Sequence, residues 1–396
     1  MARRWLLILF AAIVTLPAMV MRARGVHVPP GGEALLFGVA ILAGAFLLTW
    51  AAEVAELDIS QGLALAFLAL VAVLPEYAVD LYFAWTAASH PDYTAYATAN
   101  MTGANRLLIG IAWPLIVFLY WSNRRRRELV LPATRAVELV FLTLATVYSF
   151  VIPLKGTISL IDSLVLVGIF VLYVWRTAHA EGSEPEVVGP ALALAALRPW
   201  LRRAAVVALF VFSAVVILAS AERFAEALVQ LGRSRGIDEF LLVQWLAPLA
   251  SEAPEIVIAC ILTLKGEAQA GLGAMVSSKV NQWTLLVGTL PLVYSVALGR
   301  VGALHLDSRQ VEEILLTAAQ SLFGIAVICN LRLSLFEGSV LLVLFVSQLC
   351  FPSPTVRYGF ALVYGGFSVA LLVRKREDVG RLLSGGLRRP KGRVRA

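Results

Sequence analysis

The chain reads as an all-α, polytopic membrane protein: two inverted five-helix repeats with extra helices at both ends, about twelve transmembrane helices in all. Composition, the spacing of apolar stretches and a duplicated acidic pattern predict this. Of 396 residues, 60% are hydrophobic and only 15% charged, and the mean hydropathy is +0.82. A soluble globule needs far more charge to cover its surface, so the lipid bilayer is the implied solvent.

Stretches of the roughly 20 apolar residues that cross a hydrocarbon layer lie near 5–21, 33–52, 62–88, 95–121, 135–152 and 158–176. A second set lies near 203–230, 240–264, 270–297, 312–330, 334–351 and 356–373. The first stretch follows Arg3 and Arg4 and has no small-x-small cleavage site after it. Residues 1–32 are therefore expected to be an uncleaved signal-anchor helix and its loop. The first membrane repeat then occupies 33–176 and the second 203–351. Between them a cytoplasmic linker at 177–202, with Gly182, Pro185, Gly189, Pro190 and Pro199, is expected to act as the hinge. Residues 352–396 supply an extra helix and a basic tail.

Orientation follows from the arginines. The run Arg124 to Arg127, the linker residues Arg198, Arg202 and Arg203, and the tail from Arg374 to Arg395 are separated by even numbers of spans. One side can hold all three, which predicts cytoplasmic termini in a plasma (inner) membrane. The net charge of +7 then serves topology and contact with anionic lipid headgroups, and no nucleic-acid partner is implied. Cys260, Cys329 and Cys350 lie in apolar stretches without a CxxC pair. Trp50, Trp85, Trp113, Trp121, Trp245 and Trp283 are expected at membrane interfaces. His90, His179 and His305 are scattered in loops, so no zinc site is expected. The chain shows no phosphate loop and no nucleophile elbow, which argues against an enzyme, a cofactor or a nucleotide-driven pump. An ion gradient is the energy source that remains.

The acidic residues that break the apolar pattern come in duplicate. Leu74-Pro75-Glu76 stands in one half and Ala253-Pro254-Glu255 in the other. Around them, Trp50 to Glu56, Leu57-Asp58-Ile59 and Asn100 to Asn105 are echoed by Ala219 to Glu226, Gly236-Ile237-Asp238 and Ala274 to Lys279. The echo extends to Leu107-Leu108-Ile109-Gly110 with Pro114, against Leu285-Leu286-Val287-Gly288 with Pro291. Each unit has an odd number of helices, so the second enters the membrane upside down. Inverted repeats with interrupted helices mark a secondary transporter whose site lies at the bilayer midplane.

A helix-internal proline lacks an N–H and releases the carbonyl four residues earlier, here those of Val71 and Ala250. A hard cation wants such carbonyls together with carboxylates. Asp80 lies one turn beyond Glu76 on the same face, and Glu252 three residues before Glu255. Four crowded carboxylates also offer a route to proton coupling.

These two cores, Pro75-Glu76 followed by Asn100-x-x-Gly103-Ala104-Asn105 and Pro254-Glu255 followed by Ser277-Ser278-Lys279, resemble the alpha-repeats of the cation/calcium exchanger superfamily. The usual pattern there is Gly-Thr-Ser-x-Pro-Glu, then Gly-Asn-x-x-Gly-Ser-Asn-x-x-Asn. The resemblance implies that Glu76 and Glu255 are the central cation ligands. Around them it implies Glu252, Asp80, Ser251, Asn100, Asn105, Ser278, Asn281 and Gln282, with the carbonyls of Val71 and Ala250. The chain departs from the pattern where Ala72 and Val73 replace Thr-Ser, where Leu108 takes an asparagine place, and where Lys279 replaces an asparagine. Ligation is therefore expected to lean on the second half. Lys279, and Arg106 beside Asn105, either occupy the space of a transported ion or pair with a carboxylate as counter-charge or coupling group. The function so implied is antiport of calcium, or a similar cation, against sodium. The alternatives are a cation/proton antiporter using Glu252, Asp80 and Lys279, an intramembrane enzyme, and a non-transporting membrane scaffold.

Overall fold

The structure is a computed structural model that describes residues 1–58, 74–178, 187–351 and 353–387. Every apolar stretch read from the sequence carries a helix within these residues. Nine helical spans among the described residues, two of them built from consecutive helices, are long and apolar enough to cross a membrane.

Helix α1 (Ala2–Arg24) ends at Gly25, which takes the left-handed turn at φ 63° that a side chain would resist. Helix α2 (Pro30–Ala55) starts with proline, where no N–H is needed. Val71, Ala72 and Val73 lie outside the described residues, and α3 is described from Leu74 to Thr86. Helix α4 (Tyr93–Leu107) runs through a π-helical turn at Leu108–Ala112 straight into α5 (Trp113–Arg124). Strand β1 (Glu128–Val130), α6 (Ala136–Ser149), α7 (Val151–Lys155), β2 (Thr157–Ile158) and α8 (Leu160–Ala178) complete the first half.

After a short helix α9 (Ala191–Ala195) come α10 (Pro199–Arg235) and α11 (Glu239–Lys265). Helix α12 (Ala268–Asn281) passes through a second π-helical turn, Gln282–Leu286, into α13 (Val287–Leu298). Then follow β3 (Leu304–His305), α14 (Ser308–Ile328), β4 (Arg332–Ser334), α15 (Leu335–Leu349), α16 (Pro354–Arg374) and α17 (Arg376–Leu387). Each π turn overlaps one of the duplicated Leu-Leu-x-Gly segments.

The two halves pack reciprocally. Strand β1 pairs antiparallel with β4, Leu129 opposite Leu333, and β2 pairs with β3, Ile158 opposite Leu304. In each pair, the strand after the π-interrupted helix of one half meets the strand after the next helix of the other. Gly110 lies so close to α15 that a Cβ would fall 2.2 Å from the Phe345 ring, and a Cβ on Gly288 would fall 2.9 Å from Val167 of α8.

Contacts between turns obey the alternation of spans. Asp58, after α2, bonds Arg202 at the start of α10 at 2.7 and 2.8 Å, and Asn123 donates to the Leu264 carbonyl at 2.8 Å. At the opposite end Arg309 pairs with Asp238 at 2.7 Å. Each contact joins turns separated by an even number of spans. The guanidinium of Arg202, helped by Arg203, holds the Asp58 carboxyl down at about 2.

Three expectations are amended. The described part of the linker is not a free hinge: Ala191, Ala193 and Leu194 are buried, and the Val188 N–H donates to Glu53 Oε2 at 2.9 Å. The basic tail begins as α17, docked on α6 with Leu382 buried and Gly386 against Val140; residues 388–396 lie outside the described residues, as does His179. Trp113 and Trp283 are buried in the core rather than set at an interface, whereas Trp85 and Trp121 are exposed. Trp113 directly follows the first π turn and Trp283 lies within the second.

Candidate cation site

The site forms where α3 and α4 of the first half meet α11 and α12 of the second. Helix α11 carries two prolines, Pro248 and Pro254. Neither can donate an N–H, so the carbonyls of Gln244 and Ala250 lose their helical partners. The Gln244 carbonyl turns toward Gly103: a Cβ there would fall 1.8 Å from its oxygen. Only glycine lets the α4 and α11 backbones touch at this level, which brings Asn100 and Asn105 beside the acidic helix.

Glu76, Asp80 and Glu252 are almost wholly buried, at 2%, 0% and 0% exposure, and Glu255 is half-buried. Gln282 Nε2 donates to Glu76 Oε1 at 3.0 Å, and Asn100 Nδ2 to Asp80 Oδ1 at 2.9 Å. Glu76 Oε2, Asp80 Oδ2, Gln282 Oε1 and Asn100 Oδ1 have no hydrogen-bond partner, and the Gln282 side chain is the hydrogen-bonding group that faces Glu252. Glu76 feels the charges of Glu255 and Asp80, and Glu252 those of Glu76, Glu255 and Lys279. Ser278 faces Glu255. The result is a ring of unpaired acceptors in the interior of a helical bundle.

Most of the residues singled out from the sequence therefore converge. Asn281 Oδ1 accepts from Tyr77 OH at 3.3 Å, which ties α12 to α3. Lys279 Nζ donates to Asn105 Oδ1 at 2.6 Å and to the Asn105 main-chain oxygen at 2.9 Å, and lies 4.9 Å from the centre of the Trp283 ring.

Others do not join. Ser251 turns its hydroxyl back onto its own helix, to the carbonyls of Ala247 and Pro248 at 3.2 and 3.3 Å. Arg106 points away from the four carboxylates and pairs with Glu313, its guanidinium 5.1 Å from the centre of the Trp245 ring. Val71 lies outside the described residues. Among the described residues no three His, Cys, Asp or Glu side chains close into a metal cage. The amides of Asn100 and Gln282 stand between the acids.

Sequence reasoning missed a second polar cluster. Gln244 Nε2 donates to Thr102 Oγ1 at 3.1 Å and to Glu313 at 3.0 Å, while Arg357 pairs with Glu312 and Glu313 at 3.3 and 3.4 Å. Gln244, Glu313 and Arg357, with Arg106, Trp245 and Gln348, line a cavity of about 220 Å³. The signal was present: adjacent carboxylates Glu312-Glu313 inside an apolar stretch, where charge is costly and functional.

Comparison with known proteins agrees with this architecture. The family described as sodium/calcium exchanger protein matches residues 32–178 and 205–353. No curated protein matches the sequence. Among solved structures, the H+/Ca2+ exchanger CAX is 45% identical, with a TM-score of 0.93 over 96% of this chain and 97% of that one. Native YfkE is 19% identical, with a TM-score of 0.60 over 91% and 99%. The sodium-calcium exchanger NCX_Mj is 16% identical, with a TM-score of 0.52 over 81% and 98%. These last two share the fold. With nine apolar spans among its described residues, the protein is an integral multi-pass membrane protein, and its two matched segments show that the chain belongs to the sodium/calcium exchanger protein family.

Proposed function

We propose that this cation/calcium antiporter moves calcium, or a similar divalent cation, against protons across the plasma (inner) membrane. One observation carries the reading: Glu76, Asp80 and Glu252 are buried together, and Glu76 and Asp80 each keep an oxygen without a partner. Unpaired carboxylate oxygens inside a bundle are costly. A divalent cation between them, or protons on them, relieves that cost. The same oxygens cannot do both at once, so the two loads exclude each other, which is the condition for exchange. One divalent cation and two protons also leave the site with the same charge. The empty site carries two more negative charges through the low-dielectric interior, which suppresses leak.

Glu76 and Glu255 supply one carboxylate from each half. Glu252 and Asp80 hold the cation with them and take up the protons when it leaves, and oxygens of Asn100, Gln282, Ser278, Asn281 and the Ala250 carbonyl complete the shell. The halves are inverted repeats whose relative motion opens the site to alternate sides, with both termini cytoplasmic by the distribution of arginines. The 45% identical relative is named as an H+/Ca2+ exchanger, which favours protons as the counter-ion. Sodium remains the second reading because the family is described as a sodium/calcium exchanger.

Uptake of radiolabelled calcium into proteoliposomes tests both. An acid-inside gradient should drive uptake, an outward sodium gradient should not, and Glu76→Gln with Glu255→Gln should reduce it to background. Unchanged transport in that double variant would overturn the site.

A further inference from the structure

Lys279 is the one cation among the site's own side chains, and its contacts are unlike those of a structural counter-charge. A lysine retained to neutralise a carboxylate bonds to it directly. Lys279 instead donates to two neutral oxygens of a single residue, Asn105 Oδ1 at 2.6 Å and Asn105 O at 2.9 Å. Glu252, whose charge it feels, is faced by the Gln282 side chain and accepts no hydrogen bond from Lys279. The aromatic face of Trp283, 4.9 Å from ring centre to Nζ, closes another side, and such faces attract cations. At 0% exposure the ammonium cannot reach the membrane surface.

The surroundings are those of a small monovalent cation. A side-chain oxygen and a main-chain oxygen converge on one point, just ahead of the π turn at Leu108–Ala112. Wide turns of this kind loosen the helical ladder and leave carbonyls open to other donors. The next carbonyl, that of Arg106, is likewise taken by a side chain, Gln320 Nε2 at 3.2 Å. Lys279 and Asn105 also occupy corresponding positions in the duplicated segments Ser277-Ser278-Lys279 and Gly103-Ala104-Asn105. The lysine thus reaches across from one half to fill the cradle offered by the other.

We propose that the Lys279 ammonium is a resident cation: it fills, from within the chain, a monovalent-cation subsite formed by Asn105, and so keeps sodium out of the transport cycle. This rests on the antiporter reading above and assigns the residue that sets its counter-ion. With the subsite permanently filled, the exchangeable load is the divalent cation and the protons that replace it. A shorter polar residue at position 279 vacates the cradle and leaves its oxygens free.

The test compares the full-length protein with Lys279→Asn and with Lys279→Asn/Asn105→Ala. Radioactive sodium binding is measured in calcium-free detergent solution, and calcium uptake is measured with sodium or choline present. The wild type should bind no sodium saturably and transport equally in both salts. Lys279→Asn should bind sodium saturably and lose about fivefold or more of its calcium uptake when sodium replaces choline, the lower range of coupling between interacting ligands. Adding Asn105→Ala should abolish the acquired sodium binding. Saturable sodium binding by the wild type overturns the proposal, and so does a folded Lys279→Asn that binds none. Should that variant fail to fold, the wild-type binding decides alone. Absence of calcium uptake by the wild type in either salt and under either gradient would instead count against the antiporter reading, and the sodium measurement separates the two.

Discussion

Gly103 shows how much of the site hangs on one missing side chain. The Gln244 carbonyl, released by Pro248, occupies the space a Cβ would need, 1.8 Å from its ideal position. Gly103→Ala therefore forces α4 and α11 apart. Overpacking in a tight core typically costs about 1–3 kcal/mol, and here the obstacle is backbone, which yields less than a side chain. The expected result is a lowered Tm in detergent and a larger fractional loss of calcium uptake than of folded protein, because Asn100 and Asn105 move with α4. Adding Pro248→Ala gives the Gln244 carbonyl its helical partner back and should recover part of the loss, a coupling that a double-mutant cycle measures. Unchanged Tm and uptake in Gly103→Ala would remove this contact from the account. The sequence announced Glu76 and Glu255 because a proline beside an acid in an apolar run has few other uses. It did not announce the Gly103 contact, because which carbonyl a proline releases is local, whereas what that carbonyl meets depends on how two distant helices cross.

Among the elements, the interrupted pair α4 and α5 connects two polar regions that separate reading of the segments could not join. Its Asn105 faces Lys279, while the neighbouring Arg106 faces Glu313, which Arg357 joins to Glu312, on the other side. Successive helical residues point in different directions, so adjacency in sequence placed the two charges in one site when geometry assigns them to two. Arg106 and Glu313 are each 4% exposed. Removing one partner of a buried pair costs up to about 3–5 kcal/mol where the other charge is left alone; Arg357 and Gln244 keep part of the compensation at Glu313. Arg106→Gln should therefore lower Tm and the yield of folded protein. Arg106→Gln with Glu313→Gln removes both charges and should regain most of the stability. If the double variant is no more stable than the single one, the charges act independently and the pair does not join α4 to α14.

At the scale of the molecule, the reciprocal pairings make a claim about sides that apolar stretches alone could only suggest. Hydropathy located the spans because lipid imposes length and composition on each helix separately. It could not show that the π turns overlap the repeated Leu-Leu-x-Gly segments, that the described part of the linker packs on α2, or that α17 docks on α6. Those depend on tertiary contact. The alternation of spans places β1, β4 and Asp58 at one face and β2, β3 and Asp238 at the other, and every contact between turns described above respects that division. Arg126 and His305 are both exposed and belong to opposite faces. In a chain whose Cys260, Cys329 and Cys350 are replaced by serine, His305→Cys should react with a membrane-impermeant maleimide on intact cells. Arg126→Cys should react only after permeabilisation. Labelling of both from one side would break the alternation, and with it the inverted relation of the halves. Labelling from opposite sides in the reverse sense would preserve the fold and overturn the cytoplasmic assignment of the arginine-rich turns. The distinction matters for mechanism, because the half-buried Glu255 and the buried Glu76 come from different halves, and only halves of opposite orientation can present that pair to the two sides of the membrane in turn.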